Sequence, residues 1–311
     1  MINVALIGAG GHSLSCHAPA LQYFAQRHEW VRLAAVCDLD EGKAREAAAA
    51  FGFARAYASI ARMFDEERLD AVVSVTPIAA TLPVTRQLLP YGVPLLIEKP
   101  LGGNLAEAQE IAMAVGGAPV MVSMNRRFDP SLNRALAWAR EQGPIRCLHG
   151  SQLRSGRMEA DFVWGTGIHL IDALDYLAGP LRLTHAAAVP GTPGGCWRTA
   201  TLANAEGAVV TLEILPTAGR IEERFRLAGD EYCVDAWTHF AHPGRVEGYR
   251  NFEYVLEEQI TPDTPGFIAN GSYAETAAFL TAVCDRLPLP GPGVWDTLHS
   301  AELAAGVQGS T

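Results

Sequence analysis

Over residues 1–122, short continuous apolar runs alternate with helix-like segments, and this rhythm constrains the fold more than anything else in the chain. Ile2–Ile7 reads as a strand that runs straight into Gly8-Ala9-Gly10-Gly11. Leu14–Gln26 reads as a helix, with Pro19 tolerated near its first turn or as a kink. Val31–Cys37 is a second strand ending at Asp38, and Glu41–Phe51 is an alanine-rich helix stopped by Gly52. Ala71–Val75, Pro94–Ile97 and Val120–Ser123 read as further strands. The helices between them cover Thr81–Leu89 and a segment from the capping box Asn104-Leu105-Ala106-Glu107 to about Val115. Unbroken apolar runs suit strands buried on both faces, and strands joined by helices imply right-handed crossovers and a parallel sheet.

After Asn125 the pattern changes. A helix (Leu132–Glu141), a strand (Ile145–Leu153) and a helix (Ile168–Leu177) are followed by strand-like runs separated by turn residues. These runs are Leu183–Val189, Trp197–Ala203, Val209–Leu215 and Arg220–Leu227. Adjacent strands of this kind predict a mostly antiparallel sheet. Two helices, Tyr273–Arg286 and Thr297–Gln308, close the chain across a Pro/Gly connector at 287–293. A length of 311 residues fits two domains, read here as 1–122 and 123–311.

The glycine cluster has a chemical reading. Gly8 and Gly10 permit a tight turn and close approach of backbone to a pyrophosphate, and Gly11 and His12 lead into a helix N-terminus that offers N–H groups to the anion. Ser13 stands at the third fingerprint position in place of glycine. Asp38, ending the second strand, can accept hydrogen bonds from both ribose hydroxyls of an adenosine. Glycine after a strand also serves plain turn chemistry, and Asp38 competes with Asp40 for the helix cap. No arginine directly follows Asp38 to take a 2′-phosphate, so NAD is favoured, with NADP the alternative.

Charge and cysteine usage narrow the partners. The net charge of −10 argues against broad nucleic-acid binding and against a polybasic membrane role. The six cysteines are scattered without a CxxC pair, so neither a disulfide framework nor a metal site is expected, and a reduced, cytoplasmic setting is the simplest reading. The N-terminus has no basic region or cleavage pattern of a signal peptide, and no apolar stretch reaches membrane-spanning length. Of the 24 basic residues, two are lysines. Lys43 lies on the alanine-rich helix and reads as an ordinary solvated residue. Lys99 lies at the carboxyl end of a strand, where open α/β sheets bind ligands, and partial burial there suits an amine that shuttles a proton.

Taken in order, these segments resemble the Gfo/Idh/MocA family of dinucleotide-dependent oxidoreductases. The glycine loop is followed by His17-Ala18-Pro19-Ala20-Leu21, Val36-Cys37-Asp38-Leu39-Asp40, Val75-Thr76-Pro77 and Leu96-Ile97-Glu98-Lys99-Pro100-Leu101. Asn125-Arg126-Arg127-Phe128 opens the second domain, and Gly167-Ile168-His169-Leu170-Ile171-Asp172 matches the family's second-domain helix. The resemblance implies a Rossmann domain followed by an α/β domain with a large open sheet, a Lys99–Pro100 bond that is often cis, and Lys99 beside nicotinamide and substrate. It implies that Thr76, Pro77, Glu98 and Asn125 join the glycine loop and Asp38 around the cofactor. His169 would share the proton or bind the substrate hydroxyl, and Asp172, three residues on, would orient it or else anchor the helix. Arg126, Arg154 and Trp164 are candidate substrate contacts; Arg126 and Arg127 are adjacent and cannot both face the same way.

Two positions depart from the family pattern. Gly165 stands where many catalytic members carry an aspartate, leaving Asp161 or Glu159 as substitutes, and Thr81 stands where a histidine is frequent. The expected function is an NAD(P)-dependent oxidoreductase acting on a hydroxyl/carbonyl pair of a sugar, polyol or related small molecule, with Lys99 as the proton-transfer residue. Gly165 motivates an alternative, a non-catalytic dinucleotide-binding sensor of the same fold. An open sheet must cover its outer face, so a homodimer or homotetramer through that sheet is expected.

Overall fold

A computed structural model describes residues 1–189, 192, 196–239, 242–260 and 263–310. The chain divides into two compact units, Met1–Met124 with Ser272–Leu298, and Asn125–Gly271 with His299–Thr311.

The first unit is built on β1 (Ile2–Ile7), α1 (Ala18–Ala25), β2 (Val31–Cys37), α2 (Glu41–Phe51), β3 (Arg55–Tyr57), α3 (Ile60–Glu66), β4 (Ala71–Ser74), α4 (Ile78–Leu88), β5 (Leu95–Glu98), α5 (Leu105–Val115) and β6 (Val120–Ser123). The strands form one parallel sheet in the order β3-β2-β1-β4-β5-β6. Strands β4, β5 and β6 are buried at every residue, as their unbroken apolar runs require. The strand order reverses between β1 and β4, so the crevice at their carboxyl ends is the place where such a sheet takes a ligand. The edge pair β3 and α3 adds a strand and a helix to those read from the sequence. β3 has three residues and an exposed Arg55, too short a signal for periodicity.

The segment read as one helix over Leu14–Gln26 folds in two parts. A π-helical turn, Ser13–His17, precedes α1 and is closed by the Ala18 N–H donating to the Ser13 carbonyl five residues back. Pro19, in the first turn of α1, has no N–H for a carbonyl of the preceding turn, and the wider turn accommodates that loss.

The second unit carries α6 (Pro130–Gln142), β7 (Cys147–Leu153), α7 (Ile168–Ala178), β8 (Leu181–Ala188), β9 (Arg198–Asn204), β10 (Val209–Leu215), β11 (Glu222–Gly229), β12 (Tyr232–Trp237), β13 (Gly244–Arg250), β14 (Glu253–Ile260) and the short α8 (Gly266–Ala269). Its eight strands run in the order β14-β13-β12-β11-β7-β10-β9-β8. β7 and β10 pair in parallel, and every other neighbouring pair is antiparallel. Burial alternates along β10, with Val210, Leu212 and Ile214 inward and Thr211 and Glu213 outward. α6 packs against β11, β12 and β13, and α7 against β7 and β10, so these helices cover one face of the sheet.

The chain closes with α9 (Ser272–Asp285) and α10 (Val294–Gln308). α9 packs on α1 and the π-helical turn, Tyr273 meets Tyr23 edge-on at 5.0 Å, and Ser123 donates to Glu275 at 2.7 Å. Residues 272–298 therefore fold with the first unit, although the sequence reading groups them with the second domain. No helix among the described residues is long and apolar enough to cross a membrane.

Candidate active site

The first unit holds a cavity of about 720 Å³ at the carboxyl ends of β1, β2, β4 and β5. Gly8, Gly10, Gly11, His12, Asp38, Thr76, Pro77, Glu98 and Lys99 all line it. These nine residues, spread in sequence from Gly8 to Lys99, share one wall because the parallel strands end on the same side.

The glycine turn is held at both ends. Gly8 has φ +92°, and a Cβ there would lie 2.0 Å from the Val75 carbonyl oxygen, so only glycine fits. At Gly10 and Gly11 a Cβ would meet nothing within 4 Å, which leaves their backbone open to a ligand. Ser13 is fully buried and donates its hydroxyl to the Gly8 carbonyl at 2.7 Å. Serine at the third fingerprint position closes the turn by a hydrogen bond where glycine would do so by close packing.

Asp38 is freed for the cavity because Asp40 takes the cap of α2, accepting from the Gly42 and Lys43 amides. The Asp38 carboxylate accepts from Ala9 N at 2.7 Å on one oxygen and from Asp40 N at 2.9 Å on the other. This ties the end of β2 to the glycine turn, and a carboxylate oxygen that accepts one N–H has lone-pair capacity for a hydroxyl. Lys43, read from the sequence as an ordinary solvated residue, is exposed but also lines the cavity near Asp38.

At the other end of the cavity, β5 delivers Glu98 and Lys99. The Lys99–Pro100 bond is cis. Lys99 is half-buried and Glu98 is buried. Glu98 Oε1 lies 3.1 Å from His12 Nε2 and 2.6 Å from His17 Nε2. Burial alone would raise the Glu98 carboxyl, but the hydrogen bonds from His12 and His17 outweigh it and hold it well below the ordinary carboxylate range. Hydrogen bonds to Cys16 and Glu98 push the His12 imidazole up to about 10. His17 belongs to this group and was singled out in the sequence only as part of a motif. Its signal, a second histidine five residues after His12, has no meaning on an α-helix and acquires one on the π-helical turn.

The other expected site residues lie in the second unit. Arg126 and Arg154 are buried, and both are held by Glu223 of β11. Arg126 Nε donates to Glu223 Oε2 at 2.6 Å and Nη2 to Oε1 at 3.0 Å, while Arg154 donates to Oε1. Burial would raise the Glu223 carboxyl, but the charges of Arg126 and Arg154 hold it far below the carboxylate range. Glu223 was missed in the sequence, although alternation along β11 puts it on the inward face with Phe225 and Leu227. Asn125 donates to the Asn270 carbonyl at 2.9 Å. Asp172, expected to orient His169 or anchor its helix, receives Arg127 through both oxygens at 2.9 and 2.8 Å, and Ser300 at 3.0 Å. That is an anchoring arrangement. His169 is half-buried on α7. Trp164 is buried in a second π-helical turn, Val163–Gly167, and its backbone N–H donates to Gln308 at 2.9 Å. The candidate substitute acids Glu159 and Asp161 are exposed, and Glu159 pairs with Arg157 at 2.5 Å.

Comparison with known proteins bears on the family and the fold. Residues 2–126 match the model of an oxidoreductase family with an NAD-binding Rossmann fold, GFO_IDH_MocA. The chain is similar to inositol 2-dehydrogenase 2 of Saccharopolyspora erythraea, at 30% identity over 97% of this chain and 91% of that protein. Its fold is similar to that of a myo-inositol dehydrogenase from Corynebacterium glutamicum, with TM-score 0.80 and 20% identity over 99% of this chain and 95% of that one. It is also similar to an oxidoreductase from Agrobacterium radiobacter crystallised with NAD+, L-tartaric acid and magnesium, with TM-score 0.77 and 18% identity over 97% and 94% of the two chains.

Proposed function

Since the chain belongs to the Gfo/Idh/MocA family of oxidoreductases with an NAD-binding Rossmann fold, we propose that it oxidises a secondary hydroxyl of a cyclic polyol or sugar, with Lys99 as the proton-transfer residue. The observation that carries this reading is the position of Lys99, half-buried in the wall of the cavity that also holds the glycine turn and Asp38. The polyol class comes from the relative's name, inositol 2-dehydrogenase.

The residues fit a dinucleotide. The open backbone at Gly10 and Gly11 gives room for a pyrophosphate, and Asp38 offers acceptors to a ribose diol. Bound NAD supplies the hydride acceptor, and the rest falls to the protein. Asp38 fixes the adenosine end, and the Gly8 turn with the neighbouring His12 side chain holds the phosphates. Thr76, Pro77 and Glu98 shape the wall that leads to Lys99. The Lys99 amine takes the hydroxyl proton of the alcohol, which allows the carbon to release its hydride. His169 holds the substrate hydroxyl, and Asp172 positions it indirectly by fixing α7 through Arg127 and Ser300. Arg126 and Arg154, locked on Glu223, shape the second unit, and Asn125 and Trp164 carry the loops around them. The open face of the eight-stranded sheet joins copies of the chain into a dimer or tetramer.

The test is kinetic. NADH and NADPH are titrated by fluorescence, and inositols, other polyols and aldoses are screened for turnover at the nicotinamide absorbance. Tighter binding of NADH and turnover on a polyol are expected. Lys99→Ala should lose turnover by roughly 100-fold or more while keeping NADH affinity. Dinucleotide binding without turnover on the whole panel, or full turnover in Lys99→Ala, would overturn the assignment.

A further inference from the structure

Dinucleotide binding accounts for His12 and Glu98 singly but not for their convergence with the buried His17. His12, His17 and Glu98 bring three ligand-capable atoms within 4.8 Å of one another. The backbone is the cause. On an α-helix, residues five apart point roughly 140° away from each other. The π-helical turn Ser13–His17, closed by the five-residue bond from Ala18 to Ser13, reduces that offset. It sets the His12 and His17 rings 5.5 Å apart, edge to face, with both Nε2 atoms on Glu98 Oε1. Turns of this kind concentrate at functional sites.

We propose that His12, His17 and Glu98 form a binding site for one divalent transition-metal ion of the zinc class, with an exchangeable coordination position facing the cavity. Two imidazole nitrogens and one carboxylate oxygen are a donor set for zinc and its neighbours, whereas calcium and magnesium favour all-oxygen shells. Zinc bonds of about 2.0–2.2 Å in tetrahedral array place donor atoms roughly 3.3 Å apart. The His–Glu separations of 3.1 and 2.6 Å must open by roughly 0.2 and 0.7 Å, and the two imidazole donors, within 4.8 Å of each other, must close by up to roughly 1.5 Å, to admit the ion. His17 is 1% exposed and Glu98 7%, so two ligands are fixed by packing. The His12 side chain is 56% exposed and lines the cavity together with Glu98, so the shell opens on that side. Three protein ligands with one open position is the pattern of a reactive metal site as opposed to a sealed structural one. The ion would take the place of the two ring N–H protons that bridge His12 and His17 to Glu98.

A cation at this point adjoins the glycine turn. On the dehydrogenase reading above, which this second step rests on, ion and pyrophosphate then favour each other's binding, by the same factor in both directions.

The experiment uses full-length protein made without a polyhistidine tag and stripped with a chelator. Zn²⁺ and Co²⁺ are titrated separately, zinc read by bound-metal analysis and cobalt by its visible absorption. Uptake of one ion per chain is expected, weakened roughly 100-fold or more in His12→Ala. That side chain is exposed, so its loss leaves the fold intact. His12→Cys, which keeps a donor atom, should restore uptake. No uptake by the wild-type protein, or equal uptake in wild type, His12→Ala and Glu98→Gln, would overturn the site. An NADH titration with and without the ion separates the two ideas. Absence of any NADH binding defeats the dehydrogenase reading alone, and absence of ion uptake defeats the metal site alone.

Discussion

Asp129 shows how far one side chain's surroundings can work against its charge. It caps α6, accepting from Ser131 at 2.8 Å and Leu132 at 3.2 Å, and is fully buried. Burial pushes its carboxyl up to about 7, against the opposing pull of Arg126 and the two amides. An unfolded aspartate loses its proton near pH 4, so between about 4 and about 7 the folded chain binds the extra proton. Asp129 therefore makes stability fall as pH rises through that window, by a few kcal/mol at most. Asp129→Asn keeps an acceptor for the cap and removes the titration. Urea unfolding at pH 4.5 and pH 7.5 should give a flatter dependence in the variant, and equal slopes in the two proteins would refute the assignment. Glu223 acts with the opposite sign. Its carboxyl is held low, so its contribution is complete above the ordinary carboxylate range and is lost as pH falls below it. Glu223→Gln leaves Arg126 and Arg154 without their counter-charge and should cost about 3–5 kcal/mol in the same unfolding measurement.

At the scale of elements, the glycine turn separates a structural glycine from a functional one. Gly8→Ala forces a Cβ onto the Val75 carbonyl at a positive φ, so β1 and β4 must part; we expect a Tm lowered by several degrees together with weaker NADH binding. Gly10→Ala meets no protein atom and projects into open space, so its Tm should hold while NADH affinity drops at least tenfold. Equal thermal loss in both variants would contradict this division. The same contrast explains what the sequence could reveal. The central strands of the first sheet are uniform apolar runs and were legible. β13 and β14 were not, because Gly244-Arg245-Val246-Glu247-Gly248-Tyr249-Arg250 and Glu253-Tyr254-Val255-Leu256-Glu257-Glu258-Gln259-Ile260 mix charge and glycine with few inward residues. The cavity wall was legible wherever a residue ended a strand, as at Asp38, Thr76, Glu98 and Lys99. His17 and Glu223 were hidden because their partners depend on a π-helical turn in one case and on a tertiary pairing in the other.

For the whole molecule, the unsolved surface is the second sheet's outer face. α6 and α7 cover the inner one. The outer face presents Trp237 between the Arg224 and Arg245 guanidiniums, 4.9 and 3.9 Å from its ring centre, and Arg226 against Asp235 at 3.0 Å. Val209, Tyr249, Tyr254 and Val255 add exposed apolar surface, and Phe252 stands fully exposed at the β13–β14 turn with φ +69°. Ordered ion pairs and flat aromatic rings on a broad sheet suit association with a second copy, and a stable interface needs roughly 800 Å² from each partner. Sedimentation at micromolar concentration should give a dimer or tetramer. Arg226→Glu sets a carboxylate against Asp235 and should shift the population toward monomer. The dinucleotide cavity is lined wholly by residues of the first unit, so this variant should bind NADH as the wild type does. A wild-type protein that sediments as a monomer would leave the aromatic and arginine-rich face without the role assigned to it, and loss of NADH binding in Arg226→Glu would mean that assembly shapes the cavity as well.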